Sequence, residues 1–154
     1  MNTHNLLPPR SHDPNPTPPG DDPGFTLRWA DRELFLTPEE LAVMPIDTVA
    51  NCFIVSTGHP MSGPFTFRGV SLLHLVEYYV NIPWEVADVI SADGFWARLA
   101  AAELRAETER PSLLALEING RPLSRAAGLV RLVVPGETDD ALRQVKWVSE
   151  IRVL

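Results

Sequence analysis

Cys52-Phe53-Ile54-Val55-Ser56-Thr57-Gly58-His59 ends an apolar run that begins at Val49. Both alternating sets in the run are largely apolar: Val49, Phe53 and Val55 in one, Ala50, Cys52 and Ile54 in the other. That pattern predicts a strand buried on both faces. At its end, Ser56 to His59 brings a hydroxyl, a permissive glycine and an imidazole to the tip of a rigid element. Such a tip suits a ligand site. Read alone, these residues favour the ordinary end of a buried strand.

Working outward, Phe25, Leu27 and Trp29 alternate with Thr26 and Arg28 and predict a short strand that returns over Leu34 to Leu36. Thr37-Pro38-Glu39-Glu40 is a helix start. Thr37 can cap, Pro38 suits the first helical position and Glu40 completes a capping box. Pro45 ends that helix near Met44. Pro60 to Thr66 reads as a loop. Ser71 can cap a second helix, whose stripe is Leu72, Leu75, Val76 and Tyr79, with His74 as a surface residue. Val86 to Ile90 predicts a strand and Asp93-Gly94 a turn. Ala97 to Glu109 favours helix by propensity, with a weak apolar stripe. Leu113 to Ile118, the Asn119-Gly120 hairpin turn, Leu129 to Val134 and the alternating Val145 to Val153 give a β-rich last third. Short helices among strands and hairpins make this a mixed α+β domain.

Met1 to Gly24 is compositionally separate. It holds seven of the fifteen prolines and almost nothing to bury, so a disordered or draped arm is expected over 1–24 and a folded domain over 25–154. His4 and His12 in this arm are expected to be solvated.

The formal net charge of −7 argues against a general nucleic-acid binder or an anionic-membrane binder. One cysteine allows no internal disulfide and no paired-cysteine zinc or redox motif. No apolar run approaches the ~20 residues that span a bilayer. No signal pattern opens the chain, so cytoplasm is the default compartment.

Seven segments in order resemble the molybdopterin-binding domain of the sulfite oxidase family. They are Leu36 to Leu41, the strand ending Ser56-Thr57-Gly58, Phe67 to Leu72, Ser91 to Phe95, Leu114 to Leu123, Gly128 with Arg131 to Gly136, and Val145 to Val148. The resemblance spans roughly residues 25 to 154. It implies a β-rich sulfite-oxidase-type fold, a molybdenum cofactor, and oxo transfer in which the cofactor does the difficult chemistry. In that family a cysteine thiolate ligates the metal from the first position of a Cys-small-Gly-Asn turn. Matching on Gly58 places Ser56 at the ligand position and His59 at the asparagine. Cys52 lies ~13 Å further back along the strand and reads as a small buried hydrophobe.

Two further departures accompany this one. Ala127 stands where the family has a cofactor-holding histidine before Gly128. Glu137, Asp139 and Asp140 crowd the loop near which a pterin phosphate would lie, where they would repel it. Arg131 and Lys146 match cationic family positions, and Arg68 and Arg125 could line an anion pocket. The resemblance therefore implies Ser56 as the one metal-ligand candidate. The cofactor-binding candidates are Ser56, Thr57, Gly58, His59, Arg68, Arg125, Arg131 and Lys146. No catalytic residue is assigned. The expectation is a stand-alone, degenerate site holding a pterin, molybdenum cofactor or small anion, with oxo transfer impaired. The alternative is a cofactor-free interaction module that serves a protein partner.

Overall fold

The computed structural model describes residues 22–54, 62–107, 109–125, 127–135 and 143–154. The expected arm over 1–24 lies outside the described residues, apart from Asp22, Pro23 and Gly24.

Strand β1 (Phe25–Trp29) turns back into β2 (Arg32–Leu36), as the alternation predicted. Helix α1 (Pro38–Leu41) starts at Thr37, whose Oγ1 accepts the Glu40 N–H at 3.4 Å. Strands β3 (Asp47–Ile54) and β4 (Ser62–Ser71) follow, then helix α2 (Leu72–Tyr79), capped by Ser71 through the His74 N–H. Strands β5 (Val86–Ser91) and β6 (Trp96–Ala100), helix α3 (Ala101–Ala106), and strands β7 (Leu113–Ile118), β8 (Arg121–Pro122), β9 (Arg131–Val133) and β10 (Val148–Val153) complete the order.

These strands form two sheets. The first runs β2-β1-β10-β5-β6, with β10 parallel to β1. The second runs β3-β4-β7-β8, with β9 also on β7. The main core lies between them. It joins Phe25, Leu27, Val89, Leu99 and Ile151 of the first sheet to Val70, Leu114 and Leu132 of the second, with Leu72, Leu75 and Val76 of α2. Each fully buried side chain of this kind contributes about 1.5–3 kcal/mol. A smaller cluster (Val49, Cys52, Phe67, Leu113, Ala115, Leu123 and Val133) covers the other face of the second sheet.

Three sequence expectations are corrected. First, β3 is an edge strand among the described residues and is not buried on both faces: Phe53 is 40% exposed, and Ala50 and Asn51 are exposed. Its pairing with β4 shifts between Val49 and Cys52, where Asn51 takes φ +56°. The bulge inserts one residue, so Val49 and Cys52 share a face that strict alternation would have denied them. Second, most of the stretch read as a loop over Pro60 to Thr66 is the start of β4. Pro64 sits near the beginning of the strand, where a missing donor is tolerated. Third, Ala97 to Ala100 belong to β6 rather than to a helix. Ala97 and Leu99 are buried around exposed Arg98, a period of two that alanine's helix propensity conceals, and sheet pairing overrides it.

Among the described residues no helix is long and apolar enough to cross a membrane.

Candidate functional site

Ser56, Thr57, Gly58 and His59 lie outside the described residues. The remaining candidates can be placed. Three of them, Arg125, Arg131 and Lys146, meet where the chain entering β9 crosses the chain entering β10.

The crossing is built by backbone. The N–H groups of Ala127, Gly128 and Leu129 all reach the Ser124 carbonyl, at 3.1–3.2 Å, and close a tight turn. Gly128 has φ +119°, and a Cβ there would lie 3.0 Å from the Lys146 Cβ. Only glycine allows that approach. Leu129 and Trp147 hold φ +58° and +50°, each at a cost of about 1–2 kcal/mol. Trp147 N donates to Gly128 O at 2.9 Å, Val148 N to Val130 O at 3.1 Å, and the Trp147 indole Nε1 to Arg125 O at 2.7 Å. Leu132 and Val145 exchange two backbone bonds, at 2.8 and 3.2 Å. Val145 packs into the main core. Gln144 and Lys146, its neighbours on either side, both act on Arg131.

Arg131 is the centre of the site. It is only 6% exposed. Its Nη1 donates to Ala127 O at 3.4 Å and its Nη2 to Gln144 Oε1 at 3.3 Å, both long for such bonds. Its Nε has no hydrogen-bond partner. Burial pulls the guanidinium down to about 10, so it stays charged at neutral pH. Lys146 is half-buried, with Nζ 5.1 Å from the Trp147 ring centroid. Burial and the nearby Arg131 charge lower its pKa, and Asp93 opposes them. A buried guanidinium whose acceptors are neutral and whose Nε is orphaned is costly. An oxyanion would satisfy it.

Arg68 stands differently. It is exposed on β4 and its partner is Glu117, at 3.5 Å across to β7. The structure therefore pairs it within the sheet. Ala127, at the family's histidine position, packs its methyl against the smaller apolar cluster. Cys52 is 2% exposed, and burial raises its thiol pKa against the lowering effect of Arg110.

Two participants were missed in the sequence. Gln144 carries no charge, and its one trace is its spacing of two from Lys146. Arg110 donates to Ala50 O at 2.7 Å and to Asn51 O at 3.2 Å, clamping the β3 bulge. Nothing local announces a contact across about sixty residues.

A separate cleft of about 310 Å³ is lined by Asp47, His74, Glu77, Glu107 and Glu109, among others. Four carboxylates make it hostile to an anion, so the cationic crossing is the better site. Among the described residues no group of three or more His, Cys, Asp or Glu could hold a metal ion. The orphaned Arg131 Nε fits the anionic part of a pterin cofactor.

The fold is that of the molybdopterin-binding domain class. The model of the oxidoreductase molybdopterin binding domain matches residues 31–154, and the chain belongs to that family. Among solved structures it is similar to the sulfane dehydrogenase SoxCD from Paracoccus pantotrophus, at TM-score 0.67 and 21% identity over 84% of this chain. The two share the β-rich α+β fold of the sulfite-oxidase type. The match takes in 37% of the SoxCD chain, so this chain spans well under half of that neighbour's length. No curated protein matches it.

Proposed function

We propose that the crossing of residues 128–131 with 144–147 binds the phosphate of a pterin cofactor, or a small oxyanion of like charge, and that oxo transfer is impaired. The observation that carries this reading is the buried, charged Arg131 with its unpartnered Nε. Lys146 adds a second positive charge beside it, and Arg125 anchors the Trp147 indole through its carbonyl. When bound, a molybdenum pterin supplies oxo transfer, with two electrons passing through the metal. This chain's own residues bind and orient. Arg131 presents a fixed donor, Lys146 a point charge, and the apolar cluster behind Ala127 excludes water. The impairment rests on Ser56 at the position of the family's thiolate and on Ala127 in place of an imidazole. A hard hydroxyl is a poor substitute for a soft sulfur ligand.

A second reading, a cofactor-free interaction module, is favoured by the packing of the Ala127 methyl into the apolar cluster. One preparation distinguishes the two. The purified chain is acid-oxidised and assayed for fluorescent pterin, and assayed separately for molybdenum. The proposal expects pterin with molybdenum well below one equivalent. Full molybdenum with turnover removes the impairment. Absence of pterin, together with no stabilisation by inorganic phosphate, leaves the module reading.

A further inference from the structure

We propose that Gln144 is the residue that sets the sign of the charge at this crossing: its neutral amide holds Arg131 in place while leaving the guanidinium charge uncompensated for a bound anion. The inference rests on the anion-pocket reading above and extends it to a residue that contributes no charge.

Gln144 is itself buried, at 9% exposure, and its Oε1 accepts from Arg131 Nη2 at 3.3 Å. The other partner of Arg131 is the Ala127 carbonyl, at 3.4 Å. Both acceptors are uncharged. Glutamate is close to glutamine in shape and would place a carboxylate oxygen where Oε1 now lies. A buried guanidinium gains most from such a partner, because a carboxylate adds the attraction of opposite charge to the hydrogen bond and can accept from two nitrogens at once. Elsewhere this chain makes that choice: Asp88, fully buried, is held by Arg98 through two bonds of 2.7 and 2.8 Å. At position 144 it does not. A carboxylate there would close the Arg131 fork on itself and set a negative charge against any incoming anion.

The test uses the full chain at constant ionic strength, with inorganic phosphate as the probe. Gln144→Glu is expected to raise Tm without phosphate and to weaken phosphate binding by at least about tenfold, since like charges at an interface cost several kcal/mol. Gln144→Met, neutral and of similar length but without the amide acceptor, is expected to lose clearly less affinity than Gln144→Glu. A packing role alone would damage both variants alike, and equal loss in the two overturns the proposal. So does a Gln144→Glu protein that binds phosphate as the wild type does. A third arm separates this inference from the reading beneath it. On an Arg131→Met background, Gln144→Glu should no longer raise Tm, and an unchanged gain there overturns the pairing. If the wild type gains nothing from phosphate, the anion pocket itself fails. The stability comparison then decides on its own whether Gln144 governs the Arg131 charge.

Discussion

Asp88 and Arg131 are the charged residues that lie buried among those described, and the chain treats them in opposite ways. Asp88 receives both Nε and Nη2 of Arg98, whose guanidinium also lies 5.9 Å from the centroid of the Trp96 ring. This pair stabilises the first sheet where β5 meets β6. Its two members are unequal, since the Arg98 side chain is 48% exposed and that of Asp88 is fully enclosed. Asp88→Asn should cost about 2 kcal/mol, below the ~3–5 kcal/mol for breaking a pair buried on both sides, because Arg98 can turn to water. The urea midpoint, with an unchanged m-value, measures it. Arg131 has no such companion: its two acceptors, Ala127 O and Gln144 Oε1, are neutral. The arginine was legible in the sequence because it matched a family position. Its neutral setting was not, since it depends on Gln144 arriving from the segment that leads into β10.

Elements carry constraints of their own. Gly69 lies in β4, between β3 and β7, and a Cβ there would sit 2.1 Å from Leu114 O and 2.7 Å from the Ala115 Cα. Both are backbone atoms, so the neighbouring strand would have to move. Gly69→Ala is expected to destabilise by about 3 kcal/mol, the upper part of the ~1–3 kcal/mol range for overpacking, and thermal unfolding would report it. Helix caps and hairpin turns were the easiest elements to read, because each rests on a few adjacent residues. Thr37, Ser71 and Asn119-Gly120 all did what their chemistry implied. Strand β6 and the first half of β4 were misread for one shared reason. Alanine, glycine and proline carry strong local preferences, and pairing with β5 or β3 overrules them. The β3 bulge was also hidden. Arg110, which fixes it, is far away in sequence, and the exposed face of Asn51 looks in one dimension like an interruption of the apolar run.

On the scale of the whole molecule, a β-rich α+β fold was foreseeable, but its division into two sheets and their strand order were not. Alternation marks β1 and β10 as strands with one buried face, and Val86 to Ile90 reads as a strand. It does not show that β10 separates the other two. Stability of the assembled molecule should depend on acid through Glu103 at the start of α3. Burial pushes its carboxyl up, but Arg143, at 2.7 Å from both oxygens, and the Ala100 N–H outweigh that and hold it below its usual 4.5. A carboxyl held low in the folded state stabilises above the unfolded value and loses that contribution as pH falls through the folded one. Tm measured from about pH 6 down to about pH 3 should therefore fall less steeply in Arg143→Ala than in the wild type. Equal slopes would show that this carboxylate is not coupled to folding.

The place of β10 has a consequence for how the molecule is made. Strands β1 and β2 form one hairpin and β5 and β6 another, and within their sheet they are joined through residues 148–153 alone. Without residues 148–153 the two hairpins have no strand between them in this sheet. Residues 148–153 follow both hairpins in the chain, so the strand that closes this sheet brings its partners together across long sequence separations, an order that slows folding.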